Sequence, residues 1–190
     1  MKSNYYAVLS RMKNIYRWGL MRNTRNESLS EHSFEVAVIA HALAVINNKR
    51  LGGNFNAEHC ATVALFHDTS EIITGDMPTP VKYYNMEIRD AYKKIEKIAD
   101  EKLISMLPED MKDEFLGLYN PDEQTEKIVK AADRISALIK CIEETEMGNK
   151  EFAAAKKSIE KSVKELKMPE VDIFLKEFID GFKLTLDEQN

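Results

Sequence analysis

The chain reads as an all-α protein with a single domain of about eight helices, and three observations predict this. Apolar residues recur every three or four positions along most of its 190 residues. No segment sustains a period-two alternation, and no internal repeat is visible. Only seven glycines and five prolines are present, which leaves little material for the many turns of a sheet protein. The length suits one domain with a real core. Residues 1–148 form the expected body, with a C-terminal helix pair over 150–190 packing on it.

Each element has its own signal. Val8, Leu9, Met12 and Ile15 place a first helix over residues 4–17. Ser28 and Glu31 form a capping box that opens a second, running to about residue 49 before Gly52-Gly53, with Phe34, Val38, Ala42 and Val45 repeating along it. Asn56 caps a third, which holds Ala61, Ala64, Leu65 and the pair His67-Asp68 and fades at Ile72–Gly75. Pro78 and Pro80 make residues 76–80 a stiff, extended turn. A long helix over 84–107 carries Ile88, Tyr92, Ile95, Ile98, Ala99, Leu103 and Met106 on one stripe and ends at Pro108; a short helix follows at 109–118. The next runs from Asp122 to Met147 through Ile128, Ala132, Ile135, Ile139 and Ile142, and Gly148-Asn149 ends it. Helices over 150–167 and 170–184 flank Pro169, with Phe152, Ile159, Val163 and Leu166, then Phe174, Phe178 and Phe182.

Composition excludes several classes. An apolar share of 44% with 31% charged residues describes a folded soluble protein. Cys60 and Cys141 are far apart and form no C-x-x-C, so buried reduced thiols are expected. No apolar run approaches the roughly 20 residues of a membrane span. Arg11, Lys13 and Arg17 interrupt any signal-peptide core, and Lys2 excludes myristoylation. A cytoplasmic protein without membrane contact is expected. The net charge of −5 divides unevenly: residues 1–26 hold Lys2, Arg11, Lys13, Arg17, Arg22 and Arg25 with no acid. An acidic protein with one basic segment is a poor general nucleic-acid binder, yet it suits a small anion at one place.

Helical phase sorts the four histidines. His41 follows His32 by nine residues, about half a turn out of phase at about 100° per residue, so the two cannot face one metal. His59 precedes His67 by eight residues, roughly 12 Å along a helix. That leaves His32 upstream of His67-Asp68. Each is weak alone, because a core histidine is more often structural and an HD dipeptide arises easily by chance. Asp133 adds weight: Val129, Ala132 and Ala137 surround it on an apolar face. A buried carboxylate there needs a metal or an ion pair, for which Lys130 and Arg134 are the neighbours at hand. Two imidazoles and two carboxylates suit Mn, Fe, Co, Ni or Zn better than Ca or Mg. Glu71, four residues after His67, joins the same face if the helix continues. Trp18, the only tryptophan, would need no explanation beyond a place in the core.

The pattern H…HD…D resembles the HD-domain metal-dependent phosphohydrolases. The run from His67-Asp68-Thr69-Ser70-Glu71 through Thr74-Gly75-Asp76-Met77-Pro78-Thr79-Pro80-Val81-Lys82 is similar, more narrowly, to the bacterial HD-domain 5′-deoxynucleotidases. So are Asn14-Ile15-Tyr16-Arg17-Trp18, Arg22-Asn23, Ser30-Glu31-His32-Ser33 and Lys140-Cys141-Ile142-Glu143-Glu144, which spread over most of the chain. Met77 stands where leucine is expected. The resemblance implies an HD-type helical bundle in which His32, His67, Asp68 and Asp133 ligate one divalent metal (Co, Mn, Ni, Zn, Fe or Cu). It further implies that Arg17 orients the phosphate and that Glu71 and Asp76 share the proton work. Trp18, next to Arg17, then becomes a wall against the sugar that disfavours a 2′-hydroxyl. The turn Asp76-Met77-Pro78-Thr79 holds the nucleoside together with His32, Asp68 and Asp133. Hydrolysis of deoxyribonucleoside 5′-monophosphates, tolerant of the base, is the implied activity, with a homodimer as the assembly. The rivals are an HD hydrolase of nucleoside triphosphates, cyclic dinucleotides or alarmones, and a catalytically silent metal- or nucleotide-binding regulator.

Overall fold

In the computed structural model, residues 2–82 and 84–189 are described. The elements are α1 (Tyr5–Leu9), α2 (Leu29–Ile46), α3 (Ala57–Phe66), α4 (Glu71–Thr74), α5 (Thr79–Lys82), α6 (Met86–Ser105), α7 (Lys112–Tyr119), α8 (Glu123–Glu146), α9 (Ala153–Lys164) and α10 (Pro169–Phe178). Among the described residues there is no strand, only an isolated antiparallel bridge between Tyr16 and Ser28. The eight expected helices all have counterparts, and α4 and α5 are additional single turns.

Local chemistry accounts for most boundaries. Ser28 and Glu31 make the reciprocal capping box at the start of α2. Asn56 caps α3 and Asp122 caps α8 by accepting backbone N–H groups of the first turn. Pro169 opens α10 at a position where its missing N–H is not needed. α2 continues into a π turn over Asn47–Leu51 that ends on Gly52 at φ +76°.

Several boundaries differ from expectation; the last helix, for one, ends at Phe178, short of 184, and gives way to a 3-10 turn over Ile179–Lys183. The first helix stops at Leu9 and tightens into a 3-10 turn over Ser10–Asn14, so Arg17 lies beyond the helix, in a bend. There, Leu29 N donates to Ile15 O (2.8 Å) and Arg17 N to Glu27 O (3.0 Å), a pairing with distant residues that overrides local spacing. α3 ends at Phe66, leaving His67 as its C-cap and Asp68 just beyond. Thr79–Lys82 is helical rather than extended, because Pro80 sits in a first turn, where proline is tolerated.

α2 is the hub and packs on α3, α8 and α10. Its inward face is Val36, Ala37, Ile39, Ala40, Leu43, Ala44 and Ile46, which join Val63, Ala64, Ile128, Ile135 and Ile139 in the main core. The stripe expected from sequence divides: Phe34 and Val38 are 67% and 54% exposed, while Ala42 and Val45 pack partly buried against the main core. Ile95 and Ile98 of α6 are likewise exposed, while Tyr92, Ala99 and Leu103 are buried. Helices this rich in apolar residues offer more than one candidate face, and packing selects among them. Val163, Val171 and Phe174 from the last two helices belong to the main core, and a smaller cluster gathers Tyr5, Leu103 and Leu107. Both cysteines are free and buried. Leu29–Leu51 is long and apolar enough, on those two counts, to cross a membrane, a stretch the sequence reading passed over; more than half of it is buried inside the bundle.

Candidate metal centre and active site

Three elements deliver four ligand-type side chains to one point. His32 comes from the second turn of α2, His67 and Asp68 from the end of α3, and Asp133 from α8. One donor atom from each lies within 4.8 Å of the others. Ligands held about 2.0–2.2 Å from one ion stand up to about 4.4 Å apart, so the cluster needs only slight contraction to close on a cation. His41 is exposed and His59 half-buried, and neither is in the group. Asp133 does not pair with its neighbours: Lys130 binds Glu126, and Arg134 reaches Ser162 O. Its side chain is 39% exposed, more open than its apolar surroundings suggested.

The two imidazoles both turn Nε2 toward the carboxylates of the cluster. His67 Nδ1 donates to Ala64 O at 2.6 Å, which makes Nε2 the nitrogen that could give its lone pair to a cation in place of a proton. His32 Nδ1 lies 3.0 Å from Ser136 Oγ, whose hydroxyl in turn donates to Glu35, so His32 takes the same tautomer. Both Nε2 atoms are buried without an aligned hydrogen bond, although Asp133 and Asp68 carboxylate oxygens stand 3.1 Å away. Buried polar atoms are seldom left so. The electrostatics agree. Burial disfavours charge on His67, but Asp68 and Asp133 outweigh it and hold the ring at about 9. Burial raises Asp68, but His67 and His32 outweigh it and keep that carboxyl well below its usual range. The pocket demands positive charge, and its N and O donors fit a divalent cation.

Arg17 spans the edge of this cluster. Its Nη1 is 3.4 Å from Asp68 and its Nη2 is 4.0 Å from Asp133, while Nε donates to Glu27 Oε2 at 3.2 Å. Burial opposes its charge, but Asp133, Asp68 and Glu27 hold the guanidinium firmly protonated. Trp18 follows at φ +60°, a left-handed conformation uncommon for a bulky residue. Such strain persists only where surroundings over-determine it. Here Met21 N donates to Trp18 O (2.8 Å), Trp18 Nε1 donates to the same Glu27 Oε2 (2.9 Å), and the indole packs at 5.3 Å on the buried ring of Phe152.

Glu71 opens α4 and is 5% exposed, with Oε2 lacking any partner. The helix breaks at 67–70, yet Glu71 N still bonds Asp68 O at 3.0 Å, which keeps the two side by side. Burial, then the negative charges of Asp68 and Asp76, push Glu71 up to about 9. Burial raises Asp76 as well, against the pull of Arg17. Met77 and Pro78 are half-buried and Thr79 is exposed at the start of α5.

The family described as YfbR-like 5′-deoxynucleotidases matches residues 4–182. The chain belongs to that family. A 5′-deoxynucleotidase of Vibrio vulnificus is 52% identical over 98% of both chains, and 5′-deoxynucleotidase YfbR of Salmonella arizonae is 50% identical over 98% of this chain and 96% of its own. Among solved structures, an HD-domain phosphohydrolase from Listeria innocua superposes with a TM-score of 0.83 at 28% identity, covering 94% of this chain and 88% of that one. The HD phosphohydrolase DatZ of cyanophage S-2L, solved with dA and one catalytic Zn2+ ion, shares the fold at a TM-score of 0.67 and 17% identity, over 95% of this chain and 98% of its own.

In this YfbR-like chain several supporting residues escaped the sequence reading. Glu27 holds Arg17 and Trp18 on one oxygen. Its signal was available, since it is the first acid after a stretch of 26 residues without one. Ser136 and Glu35 sit three residues after Asp133 and His32, the spacing of helix neighbours. Glu144, inside a quoted block, accepts from Lys140 Nζ, Thr24 N, Arg25 N and Asn149 Nδ2, tying the Trp18 loop to α8.

Proposed function

We propose that the chain hydrolyses deoxyribonucleoside 5′-monophosphates to deoxyribonucleoside and phosphate, with His32, His67, Asp68 and Asp133 as the ligands of one divalent cation. The observation that carries this reading is the placement of Arg17 within 3.4–4.0 Å of two of those ligands while sharing Glu27 with Trp18. A phosphate and the sugar bonded to it would meet adjacent residues.

The chemistry that a divalent cation supplies in such a pocket is Lewis acidity toward a phosphoryl oxygen and a lowered pKa for water. Arg17 turns its two Nη groups to the phosphate, because Glu27 already engages Nε; that fork matches two phosphoryl oxygens. As the P–O5′ bond breaks and a new P–O bond forms from water, one proton must leave the water and one must reach O5′. Glu71 takes the first role in its ionised form, which the positive charge of a bound cation would favour by offsetting Asp68 and Asp76. Asp76, on the neighbouring loop, delivers the proton to the leaving oxygen. The Trp18 indole leaves a ribose 2′-hydroxyl without a partner, which disfavours ribonucleotides. Met77, Pro78 and Thr79 contact the nucleoside without reading the base.

A panel of dAMP, dGMP, dTMP and AMP, assayed for phosphate release with Mn, Co, Ni, Zn and Mg, tests this reading. The three deoxynucleotides should be cleaved well and AMP poorly. Equal rates on AMP and dAMP would remove Trp18 from its role, and no release from any deoxynucleotide with any metal would sink the reading. Replacing Ser136 by alanine removes the partner of His32 Nδ1. Metal affinity measured by calorimetry should fall about 10- to 100-fold; an unchanged affinity would mean that Ser136 does not orient the ring. A cytoplasmic homodimer completes the proposal, with Phe34 and Val38 offering an exposed apolar turn of α2; a monomer by sedimentation would reject the dimer.

A further inference from the structure

We infer that Tyr92 and Glu96 of α6 are positioning residues for the nucleoside side of the site, acting through segment 75–82. The inference rests on the substrate reading above and extends it to a helix that contributes no ligand and no proton-transfer group. The segment carries Asp76, Met77, Pro78 and Thr79, and it has little to hold itself in shape. Residues 75–78 have no regular structure. α5 is a single turn, far below the length at which a helix is stable alone. At its start Gly75 adopts φ +76° and ψ +159°, a conformation essentially reserved for glycine.

α6 grips this segment at both ends. At the near end the buried Tyr92 hydroxyl donates to Gly75 O at 3.2 Å and lies 3.1 Å from the Thr74 hydroxyl. At the far end the Lys82 ammonium donates to Glu96 Oε1 at 2.7 Å and sits 4.8 Å from the centre of the Tyr92 ring. Tyr92 and Glu96 are one helical turn apart on the same face. A single aromatic side chain therefore fixes one end of the loop with its hydroxyl and the other with its ring face. The distance between Gly75 and Lys82 is set by a rigid group, and Asp76 through Thr79 hang between the two fixed points. Lys82 is itself only about one-quarter exposed, as is Glu96, so water competes weakly for their bond.

Tyr92→Phe keeps the ring and removes the hydroxyl; Glu96→Gln keeps the size and removes the charge. Each is assayed for KM and kcat on dAMP and for competitive inhibition by inorganic phosphate, and amide exchange is followed over residues 75–82. KM for dAMP should rise roughly tenfold, about the worth of one lost hydrogen bond, with the inhibition constant of phosphate and the melting temperature unchanged and faster exchange confined to the segment. Unchanged KM for dAMP and unchanged exchange in both variants would overturn the inference. So would a rise in KM accompanied by weaker phosphate inhibition and a lower melting temperature, which marks general loosening. If the wild-type protein does not cleave dAMP, the substrate reading fails separately. Exchange alone then decides the clamp: faster exchange over 75–82 upholds it and unchanged exchange overturns it.

Discussion

Glu71→Gln should abolish most turnover while making the metal-free protein more stable. The side chain is 5% exposed and its Oε2 has no partner, so ionising it in place is unfavourable. Its carboxyl is held at about 9 by burial and by Asp68 and Asp76. Between the ordinary carboxylate range and about 9, the folded state holds a proton that the unfolded chain has released. Stability therefore falls as pH rises through that window. A glutamine removes this dependence and carries no charge to desolvate. Thermal melts of metal-free protein at pH 8 should favour the variant, and its stability should vary less between pH 5 and 8. Activity should move the other way, with kcat falling about 10²- to 10⁴-fold at unchanged metal content. Asp76→Asn should show a similar loss. A variant that kept most of its activity would show that the carboxylate it lacks is not in the proton path.

Glu144→Ala is expected to have the largest effect on folding. Glu144 is 1% exposed and Lys140 is 5% exposed, and their 2.5 Å pair is joined by three further donors to the same carboxylate. Lys140 also donates to Arg25 O and faces the ring of Phe152, against whose other neighbour, Trp18, the sugar is proposed to lie. Removing one partner strands a buried charge at a cost of about 3–5 kcal/mol. In a chain of this size the melting temperature should drop on the order of 10 °C. Lys140→Met should cost less, since it strands no cation and leaves Glu144 its backbone donors. Acid tells the same story. Burial raises the Glu144 carboxyl, but Lys140 and the backbone amides outweigh it and hold it at about 2. Its contribution is thus complete above the ordinary carboxylate pKa and disappears as pH falls toward about 2. Acid titration of the alanine variant should lack that component. A variant that melts within a degree or two of the parent would show that loop 18–26 does not depend on this pair.

What the sequence disclosed depended on whether the deciding interaction was local. Ser28-Glu31, Asn56 and Asp122 cap their helices in the structure because a cap is settled within four residues. Phase along single helices separated His41 and His59 from the ligand cluster for the same reason. The early end of α1 was illegible, because Arg17 N is drawn to Glu27 O, ten residues on. The inward face of α2 was illegible too: residues 36–40 and 43–46 are apolar almost without interruption, so spacing alone cannot say which stripe α3 and α8 will cover. Tyr92 read simply as a core residue. Its hydroxyl acquires a task only when α6 folds back over Gly75, which no local pattern announces.

One oxygen of Glu27 receives both Arg17 Nε and Trp18 Nε1. On the roles proposed above, phosphate anchor and sugar wall would be geared together, and selectivity against a ribose would not be a separately adjustable dial. Trimming Trp18 to admit a ribose would release a share of that oxygen to Arg17 and shift the anion-holding fork as well. Attempts to broaden the substrate range by changing the wall alone should therefore meet epistasis, and Glu27 is the residue to redesign alongside it.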